Sequence, residues 1–171
     1  MVTTKTYTIK RFMASMNSVP ILTTNQTTNA TNVFPILRSS KKTLLKSIKE
    51  DNCETIINEI FETSKNYSCE ITYPEDVLVG KNFKDKSQVK ELNEISEDDL
   101  ILDIGPKTIN KIKDIIQSSE TVLWNGPAGY FENPNFANGS HEIAKAIIKN
   151  NQNNSIYSVA GGGDTIALIN Q

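Results

Sequence analysis

The chain has 171 residues, 37% hydrophobic and 22% charged, with a formal net charge of −2. That length suits about one domain, and 8 Gly with 6 Pro exclude a collagen-like or silk-like fibre. No apolar stretch approaches the roughly 20 residues of a membrane-spanning helix, so no membrane partner is expected. The two cysteines, Cys53 and Cys69, form no C-x-x-C pair. This excludes a disulfide scaffold, a zinc ribbon and a thioredoxin-type redox site, and leaves two buried, reduced thiols as the expectation.

Charge is unevenly spread. Residues 1–49 carry Lys5, Lys10, Arg11, Arg38, Lys41, Lys42, Lys46 and Lys49 but no Asp or Glu, while the other 122 residues hold ten basic and twenty acidic groups. A basic, acid-free, hydroxyl-rich start has the flavour of an organelle transit segment, but it has only two arginines and no amphipathic pattern. Residues 1–40 therefore read as a solvated, flexible lead segment of a cytoplasmic protein, with an organelle as the alternative location. Within it, Ala14 to Asn32 is dominated by Ser, Thr and Asn, whose side chains bond their own backbone and bury little apolar surface. Only Tyr7, Phe12 and Phe34 accompany the scattered basic groups, so no stacking platform for nucleic acid is present.

Periodic structure begins near Lys42. Leu44, Leu45 and Ile48, then Cys53, Ile56, Ile57, Ile60 and Phe61, recur at helical spacing. Glu70 to Tyr73 reads as extended, continuing past Pro74 into Asp76-Val77-Leu78-Val79. Leu100 to Ile104 is a strand stopped by Gly105-Pro106, and Ile109, Ile112, Ile115 and Ile116 mark a helix. Thr121 to Trp124 is a strand stopped by Asn125-Gly126-Pro127; Ile143, Ala146 and Ile147 mark the next helix. Ile156 to Val159 is a last strand, stopped by Gly161-Gly162-Gly163. Strands alternating with helices imply crossovers, and hence an α/β domain over residues 41–171: a Rossmann-like, mostly parallel sheet with flanking helices. Ligands of such sheets bind beyond the carboxyl ends of the strands. Three loops of unusual composition fall there: DIGPKT, WNGPAGYFE and GGGDT.

In GGGDT, residues without Cβ let backbone N–H groups approach phosphate oxygens, and the following helix aims its positive end at them. Asp164 next to a phosphate makes sense when magnesium lies between the two, and Thr165 offers a hydroxyl. The plainer alternative is that Asp164 caps a helix after a glycine turn. In the longer loop, Gly126, Pro127 and Gly129 fix a tight path, Tyr130 and Phe131 are placed to pack on a base or sugar, and Glu132 to accept from ribose hydroxyls. Taken alone, Tyr130 and Phe131 are more often core residues and Glu132 more often a solvated charge. Trp124 reads as packing and His141, the one histidine, as a surface residue at a helix start. No histidine triad or metal cluster can be assembled.

Taken together, LDIGPKT from Leu102, TVLWNGPAGYFENPNFANGS from Thr121 and VAGGGDT from Val159 resemble, in order and spacing, the C-terminal nucleotide-binding domain of the phosphoglycerate kinase family. EITYPEDVLVG from Glu70 resembles that family's Leu-Pro-Val-Asp-Val-Val-Val strand region. The resemblance runs from about Lys41 to the end. It implies an ATP/ADP site in which Glu132 holds the ribose, Leu102, Pro127 and Tyr130 wall the adenine pocket, and Asn125 lies near the phosphates. Gly162, Gly163 and Thr165 would contact phosphate, and Asp164 would serve nucleotide-bound Mg2+. No catalytic residue is assigned.

Tyr130 stands where the family has a smaller residue, Glu75 where it often has Val, and Ile101 where many members have Gly; these departures narrow the implied pocket. Nothing in the chain resembles the family's N-terminal domain, which holds 3-phosphoglycerate. The family's Gly-Gly-Ala-Lys-Val segment and late Thr-Gly-Gly-Gly-Ala loop are also absent from it. The expectation is a glycolytic kinase fragment keeping part of the ATP/ADP–Mg site and inactive alone, with 3-phosphoglycerate as partner only beside a complementing substrate domain. The alternative is a non-catalytic nucleotide-binding module or a relic without activity.

Overall fold

A computed structural model describes residues 21–24, 30–33, 53–66, 69–96, 98–154 and 156–171. The strands are β1 (Ile21–Thr24), β2 (Ala30–Val33), β3 (Glu70–Thr72), β4 (Asp76–Gly80), β5 (Gln88–Glu91), β6 (Leu100–Ile104), β7 (Thr121–Asn125) and β8 (Tyr157–Gly161). The helices are α1 (Cys53–Asn66), α2 (Pro106–Gln117), α3 (Asn138–Asn154) and α4 (Gly163–Ile169), with 3-10 turns at Leu92–Glu94 and Pro134–Phe136. None of the described helices is long and apolar enough to cross a membrane.

From β6 onward strands and helices alternate, as their apolar periodicities require. In β7 the burial alternates, with Val122 and Trp124 inward. In α2, Ile109, Ile112 and Ile116 bury one stripe at helical spacing. Pro106 occupies the first turn of α2, where its missing N–H is no loss. Thr121–Asn125 and Tyr157–Gly161 pair in parallel, with α3 as the crossover between them. Ile104, Ile109, Ile112, Ile116, Val122, Trp124, Ile143 and Ile147 share one core. The Asn150 amide fastens α3 to α2 by donating to the Ile116 carbonyl at 2.6 Å.

The α/β class holds, but the strands divide into two sheets of mixed sense rather than one mostly parallel sheet. One has the order β3-β2-β1-β7-β8 and the other β5-β4-β6. Pairing is parallel for β2–β3 and β7–β8, and antiparallel for β1–β2, β1–β7, β4–β5 and β4–β6. The stretch 70–79 is split at Tyr73-Pro74-Glu75, so β3 and β4 join different sheets. Proline has no N–H to give a ladder and is a natural break.

Within residues 1–40, read from the sequence as a flexible lead segment, eight residues lie in strands. Ile21–Thr24 and Ala30–Val33 are strands that bridge β3 to β7. Ile, Val and Thr are β-branched and favour extended backbone even in a polar context, which outweighs the disorder signal of Ser and Asn. The rest of that segment, and the helical pattern at Leu44, Leu45 and Ile48, lie outside the described residues. Of the cysteines, Cys69 is half-buried rather than buried.

Candidate functional site

The loop that follows β7 is held at its first turn by two side chains. Gly126 takes φ +115°, and its carbonyl accepts the indole N–H of the buried Trp124 at 2.8 Å. Its own N–H donates to the Thr165 hydroxyl at 2.7 Å. Thr165 lies in the first turn of α4 and is fully buried. One hydroxyl thus joins the β7 loop to the glycine loop, 39 residues away in sequence. Gly162, at φ +90°, adopts backbone that side chains rarely tolerate, and a Cβ there would meet the Asn125 side-chain oxygen at 2.9 Å. Asn125, Gly126, Gly162 and Thr165 therefore form one junction.

Further along, the loop lies across β6. Tyr130 N–H donates to the Leu102 carbonyl at 2.7 Å, and Ala128 N–H to the buried Ser140 hydroxyl at 2.9 Å. Between them Gly129 passes over Asp103 so closely that a Cβ would lie 2.5 Å from its carboxylate. Asp103 is 2% exposed and accepts from Ile104 N–H and Gly139 N–H, each at 2.8 Å. Burial pushes its carboxyl up to about 6, against the opposing pull of those two hydrogen bonds. Tyr130 packs against the cluster of Leu78, Leu102 and Phe136, and its ring meets the Phe83 ring at a centroid distance of 5.1 Å. Asn133 and Asn135 donate to the Phe83 and Asp85 carbonyls, tying the turn after β4 to the same loop.

The expected site residues thus fall into two groups and a fringe. Leu102 and Tyr130 are in contact, forming an apolar wall with Phe83. Asn125, Gly162 and Thr165 meet at the loop junction, where the Thr165 hydroxyl already serves Gly126. Glu132, Gly163 and Asp164 are exposed, Pro127 is half-buried, and Phe131 belongs to the core. His141 is exposed near the start of α3, as its position implies. Among the described residues, no three His, Cys, Asp or Glu side chains gather as a metal cluster.

Sequence reasoning missed Phe83, Asp103 and two buried acids that brace the frame. Asp76 accepts from Lys107 N–H at 3.0 Å and Thr108 N–H at 2.8 Å, capping α2 from another element. The Thr108 hydroxyl in turn accepts from Glu75 N–H and Asp76 N–H. Asp99 is bonded by Lys81, Lys90 and Ser96. Burial alone would raise its carboxyl, but these hydrogen bonds win and hold it well below the usual range. The available signal was an acid embedded in an apolar run, as in Leu100-Ile101-Leu102-Asp103-Ile104.

The family model for phosphoglycerate kinase matches residues 27–171. The phosphoglycerate kinase of Wolbachia pipientis subsp. Culex pipiens (strain wPip) is 39% identical over 132 residues, covering 77% of this chain and 33% of its own. That of Legionella pneumophila (strain Paris) is 45% identical over 108 residues, 62% of this chain and 26% of its own. The structure of phosphoglycerate kinase from Coxiella burnetii superposes with a TM-score of 0.68 at 29% identity, covering 74% of this chain and 32% of that one. The chain spans about a third or less of the length of these relatives. The chain belongs to the phosphoglycerate kinase family.

Proposed function

We propose that this chain carries part of a nucleotide site and takes ATP or ADP with its magnesium ion, as part of a phosphotransferase acting between ATP and 3-phosphoglycerate in glycolysis. One observation carries the reading: the Thr165–Gly126 hydrogen bond brings the β7 loop and the glycine loop into one junction. In this reading Leu102, Pro127, Tyr130 and Phe83 flank the base and Glu132 accepts from the ribose hydroxyls. Asn125, Gly162 and Gly163 approach the phosphates, while Thr165 acts by fixing Gly126 rather than by reaching phosphate itself.

Magnesium enters on the nucleotide as part of the substrate, where it supplies neutralisation of phosphate charge. Exposed Asp164, as a hard oxygen donor, fits such an ion beside the phosphates. The 171 residues by themselves do not catalyse transfer. That reaction needs both reactants held in line with positive charge on the moving group. The residues gathered at this junction are a side-chain amide, two glycines and a hydroxyl. The reading places the protein in the cytoplasm, with the enzymes of that reaction.

Calorimetric titration with Mg-ADP tests it. The expected affinity is weaker than micromolar, which corresponds to about −8 kcal/mol. Glu132→Ala should weaken it by roughly tenfold, the worth of a charge-assisted hydrogen bond. Equal binding by both proteins removes Glu132 from the site. In a coupled assay free of host kinase, turnover that disappears in Asp164→Ala would show that these residues suffice for catalysis.

A further inference from the structure

Asp103 does nothing in the reading above, yet it is the buried acid nearest the proposed base wall, and everything around it is shaped to its carboxylate. One oxygen accepts Ile104 N–H, and the other accepts Gly139 N–H in the first turn of α3. That amide is one of those a helix start leaves without an internal partner. Two glycines crowd the same carboxylate. A Cβ at Gly129 would stand 2.5 Å from it and 2.6 Å from the Leu102 carbonyl, and one at Gly139 would stand 2.3 Å from it. The β7 loop is therefore seated at three consecutive residues: Ala128 on Ser140, Gly129 on Asp103, and Tyr130 on Leu102. Ser140 and Gly139 both belong to the α3 start that the carboxylate holds.

We infer that Asp103 is a positioning residue for nucleotide: bonded to β6 and to the first turn of α3, it sets the path of the loop from Gly126 to Phe131 and so the placement of Tyr130 and Glu132. It touches no ligand itself. The inference rests on the nucleotide reading for its functional half, while its structural half stands on the contacts alone. Both oxygens serve as acceptors, because both of their partners are N–H donors. Asparagine has nearly the same shape but turns an NH2 group toward one of them.

Trp124, the single tryptophan, reports on the loop directly, since its indole N–H is bonded to Gly126. The experiment compares wild type, Asp103→Asn and Asp76→Asn by melting, Trp124 emission and Mg-ADP titration. Asp76→Asn disturbs a buried cap away from the loop, and should lower the melting temperature while keeping wild-type emission and affinity. Asp103→Asn should shift the emission at temperatures where it is folded, and weaken ADP by at least about tenfold, roughly 1.4 kcal/mol. Wild-type emission and affinity in folded Asp103→Asn overturn the inference. Should Asp103→Asn not fold, Gly129→Ala carries the test, because it keeps the carboxylate and both its donors but forces the loop off its seat. The same emission shift is expected there, and wild-type emission and affinity overturn the inference again. If wild type binds no ADP, the nucleotide reading fails by itself, and the emission comparison still decides what Asp103 does to the loop.

Discussion

At the scale of single residues, the acids of this chain pull its pH response in opposite directions. Asp103 sits at about 6, above its ordinary 3.8, so the folded form binds a proton more readily than the unfolded chain. Its contribution therefore becomes more favourable as pH falls from 7 toward 4. Glu142 is held at about 2, below its ordinary 4.5, by hydrogen bonds from Lys145 and Lys113. Its contribution is present above about 4.5 and is lost as pH falls toward 2, and Asp99 acts in the same sense. Urea unfolding at pH 7 and pH 5 should show wild type gaining about 1 kcal/mol over Asp103→Asn on acidification. An unchanged difference would mean that the carboxyl is not buried as described. None of this was legible in the sequence. LILDI announces an acid in a strand, but one of its two partners, Gly139, lies 36 residues along the chain.

The elements themselves were legible, and the reasons are local. Apolar runs ended by Gly105-Pro106, Asn125-Gly126-Pro127 and the triple glycine placed β6, β7 and β8 within two residues of their observed bounds. Isoleucine spacing placed α2 and α3. Partners and sense of pairing were not, because they depend on contacts between distant segments, and strands β1 and β2 were hidden in a Thr/Asn-rich stretch. Of the site, Asn125, Gly162 and Thr165 lie together and Tyr130 lies beside Leu102, whereas the engagement of the Thr165 hydroxyl required coordinates. The join between β4 and α2 is a feature of this kind. Thr108→Val keeps the shape but strips the hydroxyl that accepts from Glu75 and Asp76, leaving buried N–H groups unpaired. Chemical denaturation should show a loss of about 1–3 kcal/mol, with the Trp124 environment unchanged.

At the scale of the molecule, the described sheet ends on β8, which has no second strand neighbour among the described residues. Tyr157 is 69% exposed there, and Val159, with Ile166 and Ile169 of α4, is also exposed. An edge strand with apolar side chains invites pairing with another chain. The 171 residues should thus self-associate as concentration rises, and Val159→Lys should shift sedimentation toward monomer; a wild type that stays monomeric at high concentration would refute this. The Gly126–Thr165 bond has a kinetic meaning as well. It closes a span of 39 residues, so it forms only after β8 has docked beside β7 and the entropy of that closure has been met. The two loops then arrive together, at the end of folding, and part together when β8 frays. Any ligand that grips both would act as a latch on that last step, slowing the opening of the strand and helix that follow α3.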